Sequence, residues 1–369
     1  MSVAEEIERA VHERGPLTFA EFMELALYGP GGYYEAPPIG TSGDFVTSPH
    51  VHQVFGELLA AGLRELWVSL GRPDPFRVIE IGAGDGKLAT QVREGIGDVP
   101  LDYAAVEVSG GARERLESAG VRAVTSLAEL DPIDGGFVLA NELLDNMPFR
   151  LVRGGSEGPV EVRVGWSDGR PQEVEHPCDD ELSPFATAAV LEVGEEATVP
   201  VGALAFLDDL ARSLARGFAL LVDYGGPSSR TAGAVHGYRE HRVVEDVLAA
   251  APGSTDITAG VDFGAIVERA RAIGLTPRGP VSQRAALLAL GFERWASRER
   301  ERQTKMLEVG AGLEAVRAWG GRSQASLLVD PAGLGRLRWL GLATPGLEWP
   351  SWMRSAQADD HDWHEIPDT

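Results

Sequence analysis

The chain has 369 residues, of which 44% are hydrophobic and 24% charged, the balance of a globular protein rather than a disordered one. Acidic residues number 56 against 33 basic ones, for a formal net charge of −23. A field of that sign repels phosphate backbones and anionic membrane surfaces, so neither nucleic acid nor membrane is an expected partner, whereas a cationic segment or ligand is drawn in.

Cys178 is the only cysteine, which excludes an internal disulfide and a thiolate metal cluster and fits a reducing, cytoplasmic setting. Residues 1–28 predict one or two helices, with Pro16, Leu17 and Thr18 as a helix start and Phe22, Leu25 and Leu27 in apolar spacing. The start lacks the basic and apolar blocks of a signal peptide, and no run of about 18 apolar residues occurs anywhere. Gly29-Pro30-Gly31-Gly32-Tyr33-Tyr34 and Gly40-Thr41-Ser42-Gly43-Asp44-Phe45 break regular structure and read either as a functional cover or as a loose insert. Residues 51–70 return to helix, with Val54, Phe55, Leu58 and Leu59 on a wide apolar face.

From Phe76 short apolar runs alternate with helical stretches, the βαβ pattern of a parallel sheet covered on both faces. The runs are 76–81, 103–108, 121–124, 137–140 and 218–222. Between the fourth and fifth, residues 149–176 alternate apolar and polar around glycine turns and predict an antiparallel hairpin insertion, followed by a helix over 204–216. Beyond Tyr224 a polar stretch leads to Asp256-Ile257-Thr258, a helix over 263–272 and strand-like runs near Leu275 and Val281. Residues 285–345 are mostly helical in period, and from Trp349 the chain reads as a tail. The expected division is a helical cover over 1–75, an α/β core over 76–290 with a β insertion at about 149–200, a helical segment over 291–348 and a tail over 349–369.

Val78-Ile79-Glu80-Ile81-Gly82-Ala83-Gly84-Asp85-Gly86-Lys87 places a glycine turn directly after the first strand and before a helix. A dinucleotide loop wants G-x-G-x-x-G under a pyrophosphate, but here Lys87 takes the place of the third glycine and the pattern is E-x-G-x-G-x-G. That suits a cofactor with no phosphate at the loop and a cationic amino-acid end, as S-adenosyl-L-methionine has. Glu80 or Asp85 would organise the ammonium, while Gly82, Gly84 and Gly86 let the backbone close on the ligand. Glu107 ends the second strand about 20 residues further on, the usual place of a ribose-hydroxyl acceptor. A second E-x-G-x-G at Glu308 follows a polar helical run, with no strand to present it, and reads as coincidence.

Asn141-Glu142-Leu143-Leu144-Asp145 follows the fourth strand, where open α/β sheets bind ligands. Glu142 and Asp145, three apart, would share one side of a turn, with Asn141 beside the cofactor; the plainer alternative is a helix cap and two solvated acids. Eight histidines show no H-x-x-x-H or H-E-x-x-H spacing, so no metal site is expected.

The ordered set Leu17-Thr18-Phe19-Ala20-Glu21-Phe22-Met23, the Gly-Tyr-Tyr loop, Gly43-Asp44-Phe45-Val46-Thr47-Ser48-Pro49, Phe55-Gly56-Glu57-Leu58, Ala140-Asn141-Glu142-Leu143-Leu144-Asp145, Val222-Asp223-Tyr224-Gly225 and Asp256-Ile257-Thr258 through Val261-Asp262-Phe263 resembles the MidA-like S-adenosylmethionine-dependent methyltransferases. The resemblance runs from about residue 15 to 345. It implies a class I, Rossmann-like, mostly parallel seven-stranded sheet with a helical N-terminal cover and inserted segments. Mitochondrial members of that family are protein arginine methyltransferases needed for respiratory complex I assembly. Two departures stand out: His50 where the family usually has Glu, and Gly260 where it usually has His. Both put the substrate in question more than the cofactor.

Methyl transfer from a sulfonium needs alignment and desolvation, and a guanidinium acceptor must also lose a proton, which carboxylates accept. Glu142, Asp145 and Asp44 are therefore the expected acceptor-binding acids, and His50 a candidate base, unless it only caps or packs the helix beginning near Val51. Three readings stay open: N-methylation of an arginine-type group in a protein; methylation of a free amino acid, peptide or secondary metabolite; and a non-catalytic assembly factor that keeps the fold. The partner is then a cationic protein segment or a small-molecule acceptor, with a homodimer compatible with either.

Overall fold

The computed structural model describes residues 2–35, 47–228, 230, 233–239, 242–309 and 311–359. Its centre is a seven-stranded sheet in the order Thr276–Ser282, Arg338–Ala343, Leu214–Asp223, Ile133–Asn141, Phe76–Ile81, Leu101–Val106, Arg122–Val124. The last five pair in parallel, while Arg338–Ala343 runs antiparallel to both neighbours, so the sheet is mixed.

The strand sequences explain the layering. Along the fourth and fifth runs successive side chains enter opposite cores: Phe137, Leu139, Phe218 and Leu220 enter one, Val138, Ala140, Ala219 and Leu221 the other. Helices Val54–Ser69 and Lys87–Gly95 supply the first core, and Val201–Ser213 and Phe263–Ala272 the second. Strand Phe76–Ile81 lies between Leu101–Val106 and Ile133–Asn141, so the chain order reverses beside it and a crevice opens at the carboxyl ends.

The insertion is larger than a hairpin. Arg150–Gly155, Gly158–Ser167, Arg170–Pro177 and Glu196–Val199 form a second sheet that Leu17–Thr18 joins through Leu17 opposite Val164. Phe19 and Phe22 of the N-terminal helices pack with Leu151, Val162 and Val164 of this sheet in a third core. Cover and insertion thus stabilise each other. Between Tyr224 and Thr258, His236–Arg239 pairs with both Arg242–Val244 and Asp256–Thr258, three strands that the polar sequence conceals.

Two expectations need correction. The segment 291–348 is not wholly helical, because Arg338–Ala343 is a buried strand in the middle of one side of the main sheet. Nor does a tail begin at 349: helix Ser351–Asp359 packs on the sheet through Trp352, 4% exposed, whose indole meets Trp339 edge-on at 6.1 Å. Large-to-small changes at buried tryptophans cost about 3–5 kcal/mol. Trp352→Ala is therefore expected to lower unfolding stability by about 3 kcal/mol or more in denaturant titrations. An unchanged midpoint would return the segment to a peripheral role.

Candidate active site

The glycine loop has the backbone its sequence demands. Gly82, Gly84 and Gly86 lie at φ 69°, 56° and 78°, the left-handed region that side chains with a Cβ rarely take. A Cβ on Gly82 would also stand 2.7 Å from Leu143 Cδ1, so the loop abuts the segment after the fourth strand. Gly86 caps helix Lys87–Gly95, whose first turn thereby points at the crevice.

Strand Leu101–Val106 stops one residue before Glu107, which bends back over the loop. Its Oε2 accepts from Gly84 N at 2.9 Å and its Oε1 from Ser109 N at 2.9 Å, so one carboxylate fixes the loop and retains lone pairs for a ligand. Glu80 is buried and accepts from the Tyr103 hydroxyl at 2.7 Å; burial pushes its pKa up to about 8. A cation arriving beside it would restore the ionised form.

Glu142 occupies a strained position. Its φ is 52°, and its backbone N–H donates to Val222 O at 2.7 Å, so the neighbouring strand holds the turn open. Oε1 accepts from Ser48 N at 3.0 Å and from Asn141 Nδ2 at 3.2 Å. Burial raises its pKa to about 7 against the pull of the Ser48 hydrogen bond. Asp145 takes the Thr258 hydroxyl at 2.9 Å on Oδ2, and burial pushes its pKa up as well. The turn that carries both acids is held by Asp223, fully buried, whose Oδ2 accepts from the backbone N–H of Leu143, Leu144 and Asp145 at 2.7–3.3 Å.

A cleft of about 1020 Å³ unites these groups. Glu80, Gly82, Gly84, Asp85, Glu107, Asn141, Glu142, Asp145 and His50 all line it; Gly86 serves as helix cap behind them. Asp44 lies outside the described residues. Asn141 Oδ1 and Asp145 Oδ1 are buried and have no hydrogen-bond partner among the described residues. Orphaned acceptors in a cleft of this size are what a cationic, donor-rich ligand satisfies. The loop geometry and the acidic lining therefore fit S-adenosyl-L-methionine.

His50, the candidate base, is engaged on both sides: Nδ1 meets Thr47 Oγ1 at 2.9 Å and Nε2 meets Asp85 Oδ2 at 2.9 Å. His50 ties the short helix Ser48–Val51 to the glycine loop; burial would raise the Asp85 carboxyl, but the His50 hydrogen bond and charge, together with the Lys87 backbone N–H and Arg115, hold it low. The same short helix, Ser48–Val51, reaches Glu142 through Ser48 N and Gln91 through Pro49 O at 2.8 Å. One segment thereby braces both the glycine loop and Glu142.

Among the lining residues that the sequence reading of the site did not single out are Tyr28, Tyr34 and Arg336. Tyr28 and Tyr34 stack at 5.4 Å with their hydroxyls donating to Asn146 O and Asp256 Oδ1, forming a wall of the cleft. The Gly-Tyr-Tyr loop signalled a cover but not which rings would face the ligand. Arg336, whose guanidinium lies 5.5 Å from the Tyr224 ring, comes from a stretch read as helix and carried no signal. Gly260, at the family's histidine position, also lines the cleft, with its backbone facing Gly233. Among the described residues no three His, Cys, Asp or Glu side chains are arranged to hold a metal, and no helix is long and apolar enough to cross a membrane.

Residues 58–281 match a family model described as "Putative S-adenosyl-L-methionine-dependent methyltransferase". The chain is 28% identical over 387 residues to "Protein arginine methyltransferase NDUFAF7 homolog, mitochondrial" of Drosophila melanogaster, covering 92% of this chain and 84% of that one. It is 29% identical to the Rattus norvegicus protein arginine methyltransferase NDUFAF7, covering 77% of this chain and 72% of the relative. A Burkholderia thailandensis structure described as a "likely methyl transferase" and bound to S-adenosyl-homocysteine superposes with a TM-score of 0.82 at 28% identity, covering 95% of this chain and 94% of that one.

Proposed function

The chain belongs to the S-adenosyl-L-methionine-dependent methyltransferase family, and from that premise we propose that it methylates a guanidinium or similar cationic nitrogen of a protein substrate, on a class I sheet. The observation that carries this reading is the pair Glu142 and Asp145, partly buried acids of raised pKa beside the glycine loop, one of them with a buried, unpartnered oxygen. Such carboxylates regain their charge when a cation sits between them.

When bound, S-adenosyl-L-methionine supplies a methyl group on a sulfonium whose sulfur leaves with the bonding electron pair. The chain supplies the rest. The Gly82–Gly86 loop and Glu107 fix the cofactor end, and the Tyr28 and Tyr34 wall excludes water. Glu142 and Asp145 hold the acceptor so that one nitrogen faces the methyl carbon. As the N–C bond forms, the N–H proton passes to a carboxylate oxygen; Glu142 Oε2, with Oε1 already engaged by Ser48 and Asn141, is the assigned acceptor.

Arg336 on the cleft wall favours a second reading, in which the acceptor also carries a carboxylate, as a free amino acid or small peptide does. Incubation with methyl-labelled cofactor and a cell lysate, split into macromolecular and small-molecule fractions, separates the two. Label in protein is the expected result. Label in small molecules alone selects the second reading, and label in neither, with the cofactor bound, overturns both.

A further inference from the structure

Resting on the cationic acceptor class assigned above, we propose that His236 is a third acceptor-binding group of the cleft: its neutral imidazole takes a hydrogen bond on Nε2 from one guanidinium N–H while Asp145 and Glu142 take others. Strand register decides where its side chain goes. His236–Arg239 runs antiparallel to Asp256–Thr258, with His236 opposite Thr258, Gly237 opposite Ile257 and Tyr238 opposite Asp256. Residues directly opposite share a face, and neighbours along a strand alternate. Ile257, 2% exposed, enters the third core, and a Cβ on Gly237 would stand 2.5 Å from Thr255 Cγ2 and 3.2 Å from Val247 Cγ1, so that face is closed.

His236, Tyr238, Asp256 and Thr258 therefore share the other face, against the turn that carries Asp145. The Thr258 hydroxyl donates to Asp145 Oδ2 at 2.9 Å, Ala259 N donates to Asp145 O at 3.2 Å, and Asn146 Nδ2 donates to Asp256 Oδ2 at 3.0 Å. His236 and Tyr238 both line the cleft.

The ring is set as a hydrogen-bond acceptor. Nδ1 lies 2.9 Å from Ala234 O, and a carbonyl oxygen only accepts, so Nδ1 carries the proton and Nε2 of the neutral ring keeps its lone pair. Edge-on packing with Tyr238 at 5.1 Å helps fix the ring plane. In the same cleft Asp145 Oδ1 is buried and has no partner among the described residues. A guanidinium brings one positive charge, N–H donors in a planar fork and no acceptor, so two acids and a neutral imidazole match it better than a third carboxylate would. The opposite role has the opposite sign: as an imidazolium, His236 favours ionised Asp145 in the empty cleft and repels a cation, so its removal would tighten acceptor binding.

Calorimetry on the full chain saturated with S-adenosyl-homocysteine, with methylguanidine as the probe at about pH 8, separates these roles. His236→Leu should bind the probe about tenfold more weakly than wild type, the lower end of the scale for a hydrogen bond to a charged group. His236→Gln, whose Oε1 can accept in place of Nε2, should recover most of the loss, and S-adenosyl-homocysteine affinity should stay at the wild-type value in both. If His236→Leu does not fold, imidazole nitrogen NMR of the wild type decides: the Nε2 resonance of His236, identified by its absence in His236→Gln, should move on addition of methylguanidine. Probe affinity in His236→Leu equal to or above wild type, or an Nε2 resonance that does not move, overturns the inference. If Glu142→Gln weakens the probe in that case, the acceptor reading stands without His236. A wild type that does not bind methylguanidine overturns both.

Discussion

Glu142→Gln is expected to lower kcat by about 10²- to 10⁴-fold, the range for losing a positioned general base, while S-adenosyl-homocysteine binds as before. Glutamine keeps the length of the side chain and can still accept from Ser48 N, so the clasp to the short helix survives and only the charge and the proton acceptor are lost. The wild-type kcat/KM should rise with pH through about 7, where Glu142 of the free enzyme ionises, and the variant should lack that limb. Stability supplies a readout that needs no substrate. The folded-state pKa lies above the unfolded value, so the group's stabilising contribution is complete below about 4.5 and is lost as pH rises through about 7. Without ligand, Glu142→Gln should therefore melt higher than wild type at pH above about 8 and show less advantage near pH 5. A variant with full turnover and an unshifted pH profile would return Glu142 to a structural role.

Glu107→Ala is expected to weaken cofactor affinity by about 1.5–3 kcal/mol, roughly tenfold to a hundredfold or more, the scale of hydrogen bonds to a charged group. Two effects combine in that change. The ribose loses its acceptor, and Gly84 N and Ser109 N lose the carboxylate that holds the loop and the following turn. Glu107→Gln separates them, because its remaining carbonyl oxygen can serve only one of the two amides. Calorimetry with S-adenosyl-homocysteine decides the matter: an unchanged affinity in Glu107→Ala would mean that the ribose is held elsewhere.

What the sequence revealed follows from how local each signal is. Strand Phe76–Ile81 and its three glycines are legible because strand, turn and helix are contiguous and each glycine answers a positive φ. The acids of the 141–145 segment are legible because they directly follow an apolar run. Arg338–Ala343 was hidden because Arg-Trp-Leu-Gly-Leu-Ala has no alternation, sits among helices and finds its partners far back in the chain, at Leu214–Asp223 and Thr276–Ser282. Leu17–Thr18 is too short to show any period, and its strand character comes only from the insertion sheet. His50 illustrates a different limit. Residue type and motif position make it a candidate base, but its contact with Asp85, 35 residues away in sequence, exists only after folding.

The central claim, a guanidinium-type acceptor held by Glu142 and Asp145, is tested most directly by identifying the methylated atom. Protein labelled by the wild-type enzyme would be acid-hydrolysed and its modified residues resolved by mass spectrometry, with Glu142→Gln as the control. Recovery of the label as N-methylated arginine, strongly reduced in the control, is the predicted result. Label recovered on a carboxylate, hydroxyl or thiol, or N-methylarginine formed equally by Glu142→Gln, would contradict the account.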